Sequence, residues 1–375
     1  MVNEKRIYRI IIFSILGLIL LFVATFSMSF SFVKKPKEKN LTYEYVMRDV
    51  FKDKNPKVTE IAILGAHDSF TADIKLSSKA NTNENSFESN GFINALGKGF
   101  VVRMSKTQNA SCKELLYAGV RYLDARVALL DGEYYAVHGY RSNLFNTYLQ
   151  DLVDFLGSHS GEMVIFDIQG FSTINGKNRK VPSQEYLDLF DYIKTIKNSD
   201  NKSLFDYVFY DTNTDYLKDL TYNDVTNNKT SAGVIILAKT SVSSYVYNRD
   251  SDARYDKTYY WTIRSKWHDN SGVSNILNAI DKEYQYLLEN PANDVLIANQ
   301  ALQSFKININ LLKTYFDWSL LDMAKKLNKE LVKDEDRFKR WLEVMPIFIT
   351  DYTTSTYGNF NKLANQYILE YNQLL

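Results

Sequence analysis

The sequence predicts an α/β fold, a single (β/α)8 barrel that follows an apolar N-terminal helix. Short apolar runs alternate with amphipathic stretches along residues 41–375, which is the pattern of a protein with mostly parallel strands. Eight of these runs have the length of a strand, the number that closes such a barrel. A chain of 375 residues, 45% hydrophobic and 24% charged, is long enough for one large domain and excludes a collagenous or wholly disordered protein.

The first forty residues differ from the rest of the chain. They hold seven bases and two acids, whereas residues 41–375 hold 38 bases and 42 acids. After a basic segment, 1–9, residues 10–33 carry no charge, and crossing a bilayer takes about 20 apolar residues. We expect a retained transmembrane anchor rather than a cleaved signal sequence, because the residues after Ala24 form a poor cleavage site. Residues 34–40 are then a charged linker to a domain of residues 41–375.

The elements of that domain follow from apolar periodicity. The eight candidate strands are residues 60–64, 120–127, 134–137, 163–168, 234–238, 260–263, 295–298 and 347–350. A helix over 111–118 begins with a capping box, Ser111 and Glu114, and helices over 149–156 and 276–288 space apolar residues by three and four. Residues 318–344 predict two more helices. The polar stretches 77–90 and 197–230 read as loops on the barrel rim.

Charge and cysteine content exclude several classes of protein. With 45 bases and 44 acids, the sequence does not have the basic excess of a nucleic-acid binder. A single cysteine, Cys112, excludes both an intrachain disulfide and a cysteine-based structural zinc site.

Two of the four histidines follow candidate strands closely. His67 and Asp68 come just after the apolar run 61–64, and His138 follows the run 134–137. Barrel enzymes hold their catalytic groups at the carboxyl ends of strands, so this placement favours a catalytic function. Each histidine taken alone is about as consistent with a structural role, and the pair is the stronger signal.

The strand between the two histidines carries opposite charges on one face. Tyr122, Asp124 and Arg126 point the same way because side chains alternate with a period of two along a strand. Asp124 and Arg126 are either a structural ion pair inside the barrel or a guanidinium positioned for a phosphate oxygen. Since imidazoles exchange protons near neutral pH, two histidines and an arginine are suited to cleaving a phosphodiester.

Four segments carry a family resemblance: residues 65–69 (Gly-Ala-His-Asp-Ser), Thr107-Gln108, residues 118–126 (Ala-Gly-Val-Arg-Tyr-Leu-Asp-Ala-Arg) and Val137-His138-Gly139. With the helix and strand predicted over 152–168, they resemble the X domain of bacterial phosphatidylinositol-specific phospholipases C. The clear match covers residues 59–170. The resemblance implies a distorted TIM barrel in which the inositol 2-hydroxyl displaces diacylglycerol and leaves inositol 1,2-cyclic phosphate.

The resemblance also implies roles for individual residues. His67 would be the general base and His138 the general acid, with Arg126 holding the phosphate. Asp68 would assist the acid at the leaving group. The family orients its base with a late aspartate, and Asp351, after the strand 347–350, is the candidate, although it could equally cap a turn.

The remaining expectations concern recognition and metal ions. Asp124 would form part of the site wall and position Arg126. Because Arg126 would supply the positive charge that calcium brings in the eukaryotic relatives, we expect no metal and no other cofactor. The family tends to have a lysine where this chain has Gln169 and an arginine where it has Lys239, which leaves head-group recognition open. Lys239 and Trp267 are candidate substrate contacts, although a lysine at a strand end more commonly reaches solvent and a tryptophan there is more often part of the core.

Two other functions remain open on the sequence alone. A glycerophosphodiester phosphodiesterase also uses a barrel and a histidine pair, but it favours metal-binding acids. A catalytically silent, membrane-tethered phosphoinositide-binding module is the third possibility, although it would not need two proton-exchanging groups. We expect a monomer that acts on a phosphoinositide lipid at a membrane surface. Its catalytic domain would lie outside the cell membrane, or be secreted if residues 10–33 are removed.

Overall fold

A computed structural model describes residues 12–17, 42–83, 98–99, 101–208, 217–238, 263–292, 294–304 and 319–375. Its strands are β1 (Ile63–Ala66), β2 (Val120–Leu130), β3 (Glu133–His138), β4 (Tyr140–Leu144), β5 (Met163–Thr173), β6 (Gly176–Lys177), β7 (Gly233–Ala238), β8 (Ile263–Trp267), β9 (Leu296–Gln300) and β10 (Ile347–Thr350). The helices to which we refer are α1 (Cys112–Tyr117), α2 (Phe145–Ser158), α3 (Ser183–Thr195), α4 (Tyr222–Val225), α5 (Val273–Glu289), α6 (Leu320–Leu331), α7 (Glu335–Val344) and α8 (Phe360–Asn372).

All ten strands belong to one curled sheet. Seven of them run parallel in the order β7-β5-β2-β1-β10-β9-β8, which is a half-barrel of the TIM type. The prediction of an α/β barrel is therefore confirmed in its class. Closure by eight parallel strands is not seen in the described part of the chain, where β7 and β8 lie at the two ends of the parallel order.

The candidate strand over 134–137 runs antiparallel to β2, so it is not one of the eight parallel strands predicted for the barrel. β3 pairs with the distal half of β2, and the two-residue turn Asp131-Gly132 joins them. Both turn residues have positive φ, 56° and 83°, as the turns of two-residue hairpins require. The hairpin folds the chain back, so that His138 ends β3 beside the point where β2 leaves the barrel.

Alternate side chains of the parallel strands build the concave interior. Apolar residues such as Ile63, Ile165 and Ile349 form its core, and residues 46–51 and 217–225 pack onto that core beside the amino ends of the strands. Outward-facing residues such as Phe166 and Phe348 form a second core between the sheet and its helices. Toward the carboxyl ends the interior positions become polar, and this polar end holds the candidate site.

A buried ion pair ties the segment before β1 to the sheet. Arg121 and Glu162, both fully buried, are 2.8 Å apart. Glu162 also accepts hydrogen bonds from the backbone N–H groups of residues 46–48, and Arg121 donates one to the Glu44 carbonyl. Each buried charge therefore has a partner of opposite charge, which offsets the cost of removing it from water.

The helix predictions are confirmed over 111–118, 149–156 and 276–288, and the two helices predicted within 318–344 are α6 and α7. The capping box at the start of α1 is present, with the Ser111 hydroxyl and the Glu114 carboxylate each accepting a backbone N–H. Helix α3 was not predicted. The stretch 197–230, predicted as loop, contains α4, and residues 84–90 of the other predicted loop lie outside the described residues.

Of the predicted N-terminal anchor, residues 12–17 are helical, and the rest of 10–33 lies outside the described residues, as do the basic segment 1–9 and the linker 34–40. Among the helices that the structure describes, none has the length and apolar character needed to cross a bilayer.

Candidate active site

The first histidine stands where β1 leaves the barrel. Gly65, inside this strand, allows the neighbours to approach, because an added Cβ would lie 2.9 Å from Ile349 and 3.2 Å from the Tyr122 ring. Two residues after the strand ends, Asp68 takes a positive φ of 38°, and its N–H donates to the Asp124 carboxylate. The Gln108 side chain donates to the His67 carbonyl and thereby holds the turn.

His67 lies between two carboxylates. Its Nδ1 is 2.8 Å from Asp351 Oδ1, and its Nε2 is 3.3 Å from Asp68 Oδ2. A carboxylate accepts the Nδ1–H, which leaves Nε2 as the ring nitrogen that can accept or donate a proton. Burial by itself would lower the pKa of His67, but Asp68 and Asp351 outweigh it and raise that pKa from 6.5 to about 9. The pKa of Asp351 is itself raised, because burial outweighs the attraction of His67.

Arg126 is held by two carboxylates. Its Nε lies 2.9 Å from both Asp124 Oδ1 and Asp68 Oδ1, and an Nη donates to Asp124 Oδ2 at 3.2 Å. Burial would raise the pKa of Asp68, but the Arg126 charge, followed by those of His138 and His67, holds it well below its usual range. About one third of the Arg126 side chain remains exposed, so the guanidinium is accessible from the cavity.

The second histidine reaches the same carboxylate from the hairpin. His138 Nδ1 lies 2.9 Å from the Ser105 carbonyl, and Nε2 lies 3.1 Å from Asp68 Oδ2. Since a carbonyl only accepts, Nδ1 carries the hydrogen, and Nε2 is the ring nitrogen that can accept or donate a proton. The ring centroids of His67 and His138 are 6.1 Å apart.

A cavity of 640 Å³ joins these groups. It is lined by five of the predicted catalytic residues, His67, Asp68, Arg126, His138 and Asp351, and by the predicted substrate contact Trp267. Trp267 ends β8 and is 58% exposed, so it forms part of the rim rather than the core. Asp124 is hydrogen-bonded to Arg126 but is not among the residues that line the cavity, where it was expected to form part of the wall. Lys239 lies outside the described residues.

Sequence reasoning missed several residues of this site. Asp167 is fully buried on β5, and burial raises its pKa to about 7 although Tyr122 donates to it. Its place directly opposite Asp124 on the neighbouring strand follows from sheet register, which periodicity does not reveal. Lys177, in the short strand β6, also lines the cavity and has no motif of its own. The β5–β6 hairpin that brings it there was not predicted.

Three of these residues have the spacing of possible metal ligands. One donor atom each from His67, Asp68 and Asp124 lies within 4.8 Å of the others, a spacing that a cation could use. Both carboxylates are already in ion pairs with Arg126, at 2.9 Å. The guanidinium thus already places a positive charge beside both carboxylates.

Sequence comparisons find relatives for about a third of this chain. No family model matches the chain. A PI-PLC X-box domain-containing protein of Dictyostelium discoideum is 27% identical over 132 residues, which are 34% of this chain and 17% of that protein. PI-PLC X domain-containing protein 2 of Homo sapiens is 28% identical over 130 residues, 34% of this chain and 43% of the relative. PI-PLC X domain-containing protein 3 of Mus musculus is 32% identical over 121 residues, 30% of this chain and 37% of the relative. The chain thus matches less than half the length of these eukaryotic relatives.

The fold comparison covers much more of the chain. Phosphatidylinositol-specific phospholipase C of Staphylococcus aureus, in the structure of a mutant, superposes with a TM-score of 0.57 over 88% of this chain and 98% of that one, at 14% identity. The Listeria monocytogenes enzyme of the same name gives 0.53 over 89% and 99%, at 15% identity. The chain therefore has the fold of the phosphatidylinositol-specific phospholipases C and a partial sequence likeness to PI-PLC X domains.

Proposed function

We propose that this chain is a phospholipase C that cleaves phosphatidylinositol, or a glycosylated relative, to diacylglycerol and inositol 1,2-cyclic phosphate. The observation that supports it is the convergence of two imidazoles and a guanidinium on one carboxylate: His67, His138 and Arg126 all lie within 3.3 Å of Asp68, inside one cavity. The fold likeness and the partial X-domain likeness favour this class of reaction.

In the proposed reaction, the inositol 2-hydroxyl oxygen attacks phosphorus while its proton passes to His67 Nε2. The bond from phosphorus to the glycerol oxygen breaks, and that oxygen takes a proton from His138 Nε2, with Asp68 beside it. Asp351 fixes the His67 ring through Nδ1, and Arg126 stabilises the charge that develops on the phosphate oxygens. His67 gains one proton as His138 loses one, so the two histidines together hold the same number of protons before and after the step. Transfer of a proton from His67 to His138 then restores the starting state.

To test this proposal, the full chain is incubated with phosphatidylinositol vesicles and a chelator, and the phosphorus species are followed by NMR. A five-membered cyclic phosphate is the expected product. Open-chain monoester alone, formed only when metal is added, would instead favour the glycerophosphodiester phosphodiesterase reaction. No change in lipid despite measurable vesicle binding would favour the non-catalytic binding module.

A matched pair of variants makes the assay specific. His67→Ala should abolish the cyclic product, whereas His268→Ala should retain it. His268 is bonded to the Asn299 side chain and is not among the residues that line the cavity. Equal activity of the two variants would contradict the assignment of the base.

The cellular setting remains a prediction. We propose that residues 10–33 anchor a monomeric chain in the cell membrane with the catalytic domain outside, since the substrate is itself a membrane lipid. Fractionation of the full chain, with protease added to intact cells, tests both the anchor and the orientation. Recovery of the chain in the soluble fraction, shortened at the N-terminus, would show secretion instead.

A further inference from the structure

The motif Thr107-Gln108 has no role in the proposed reaction, yet it lies directly against the groups that carry it out. Both side chains are fully buried, and neither is among the described residues that line the cavity. The Thr107 hydroxyl donates to the Asp68 carbonyl at 2.9 Å. Any effect of this motif on the reaction therefore passes through other residues and does not come from contact with substrate.

Gln108 joins the ends of two neighbouring strands. β1 and β10 run parallel, and His67 and Asp351 are the first residues after them. The Gln108 Nε2 donates to the His67 carbonyl at 3.0 Å and to the Thr350 carbonyl at 2.9 Å, while Oε1 accepts the N–H of Thr353 at 3.0 Å. One side chain thus bonds to the turn that holds the base and to the turn that holds its carboxylate.

These three bonds fix the orientation of the amide. Both hydrogens of Nε2 are used, one for each carbonyl. Reversing the amide would turn its oxygen toward two carbonyl oxygens and its nitrogen toward the N–H of Thr353, which removes all three bonds. The planar amide is therefore a bridge of fixed length between the two strand ends.

The turn after β10 depends on such outside contacts for its shape. Tyr352 has a positive φ of 48°, which a bulky residue adopts only where the surrounding structure imposes it. Its N–H donates to the Thr107 carbonyl at 2.7 Å, next to the bonds of Gln108. Asn328 ties the Asp351 carbonyl to α6, whereas Gln108 ties this turn to the end of β1.

We propose that Gln108 is a positioning residue for the base: it joins the ends of β1 and β10 and so keeps His67 Nδ1 in contact with Asp351 Oδ1, 2.8 Å away. This inference rests on the proposed function, in which His67 is the base. The effect of Asp351 on the imidazole falls as the two separate, because the attraction between charges decreases with distance. A displacement of about 1 Å that begins away from the reacting atoms can reduce the rate about 100-fold.

The experiment uses Gln108→Met in the full chain, since methionine has nearly the length of glutamine and lacks the amide. With water-soluble, short-chain phosphatidylinositol, kcat should fall about tenfold or more while KM stays within about twofold of wild type. In an NMR titration, His67 should titrate at a lower pH than in wild type, because Asp351 no longer lies against it. In the Asp351→Asn background, Gln108→Met should not shift the titration further, since the charge through which it acts is already gone.

A matched control breaks similar bonds at the other end of β1. Asn372, also buried, donates to the Ala62 carbonyl and accepts the Ala62 N–H, both at 2.9 Å. Asn372→Leu should lower the urea midpoint but leave the titration of His67 and kcat unchanged. If Gln108→Met does not fold, Gln108→Asn keeps an amide that is one methylene too short to span both strand ends, and it should change the same quantities in the same direction.

The outcomes separate this inference from the proposed function, because the NMR titration needs no substrate. Wild-type values of kcat and of the His67 titration in both Gln108 variants would overturn the inference alone. An equal shift in the Asp351→Asn background, or an equal shift caused by Asn372→Leu, would overturn the positioning of Asp351. No turnover by the wild-type chain, with the His67 shift present in Gln108→Met, would overturn the proposed function and leave the positioning contact supported.

Discussion

Replacing Asp351 with asparagine should lower the pKa of His67 while leaving the ring in place. Asparagine has nearly the same shape, and its carbonyl oxygen can still accept the Nδ1–H bond that spans 2.8 Å in wild type. Only the negative charge is lost. The charge of Asp351 favours the protonated imidazole, so its removal must move the pKa of His67 downward.

The size of the change follows from the contacts. The pKa of His67 rises from 6.5 to about 9 because two carboxylates outweigh burial. At 1.36 kcal/mol per pH unit, this rise corresponds to about 3 kcal/mol. Since burial opposes the rise, the carboxylates together contribute more than that net value, and Asp351 makes the shorter of the two contacts, 2.8 Å against 3.3 Å. The substitution should therefore lower the pKa of His67 by at least about one pH unit.

Two measurements check this prediction. With only four histidines in the chain, an NMR titration can follow each imidazole, and His67→Gln identifies the resonance of interest. The second measurement is the pH profile of kcat/KM from about pH 5 to about pH 10. Activity needs one proton shared by the two catalytic histidines, so the alkaline limb of the profile should lie near pH 9 in wild type. In Asp351→Asn this limb should move to lower pH. A His67 resonance that titrates at the same pH in both proteins would refute the reasoning.

Further predictions concern the acid, the phosphate contact and stability. His138→Ala should lower kcat by about two to four orders of magnitude, and rates within threefold of wild type would contradict its role as the acid. Arg126→Lys should lower kcat about 100-fold or more, because an ammonium does not reproduce the planar fork of donors; an effect confined to KM would argue against stabilisation of the transition state. Glu162→Gln should lower the free energy of unfolding in urea by about 3 kcal/mol or more, because it leaves a buried guanidinium without a counter-charge, whereas Glu335→Gln, at the surface pair with Lys339, should lower it by about 1 kcal/mol or less. Protonated His67 stabilises the fold fully below pH 6.5, and this contribution should be lost as pH rises through about 9. Over that range the urea midpoint should fall more steeply in wild type than in His67→Gln, and equal slopes would contradict the prediction.

Much of the local structure could be predicted from the sequence because it depends on nearest neighbours. The apolar runs of β1, β5 and β10 and the periodicity of α2 and α5 correspond to elements in the structure. The period of two correctly placed Asp124 and Arg126 on one face, where they form an ion pair. The antiparallel direction of β3 follows from a local signal, since Asp131-Gly132 is typical of a hairpin turn, and the prediction that residues 134–137 form one of the parallel barrel strands is wrong.

The sequence by itself determined which chemical groups were available: two histidines after strands, an arginine on an inward face and an acidic residue after the last strand. Only the tertiary structure decided that Asp351 lies 2.8 Å from His67, 284 residues earlier in the chain, and that Asp167 stands behind Gln169. Periodicity reports the direction of a side chain within its own strand, whereas such contacts depend on strand order, register and a single-residue bulge. Those features are set by the packing of the whole sheet, and no local pattern encodes them.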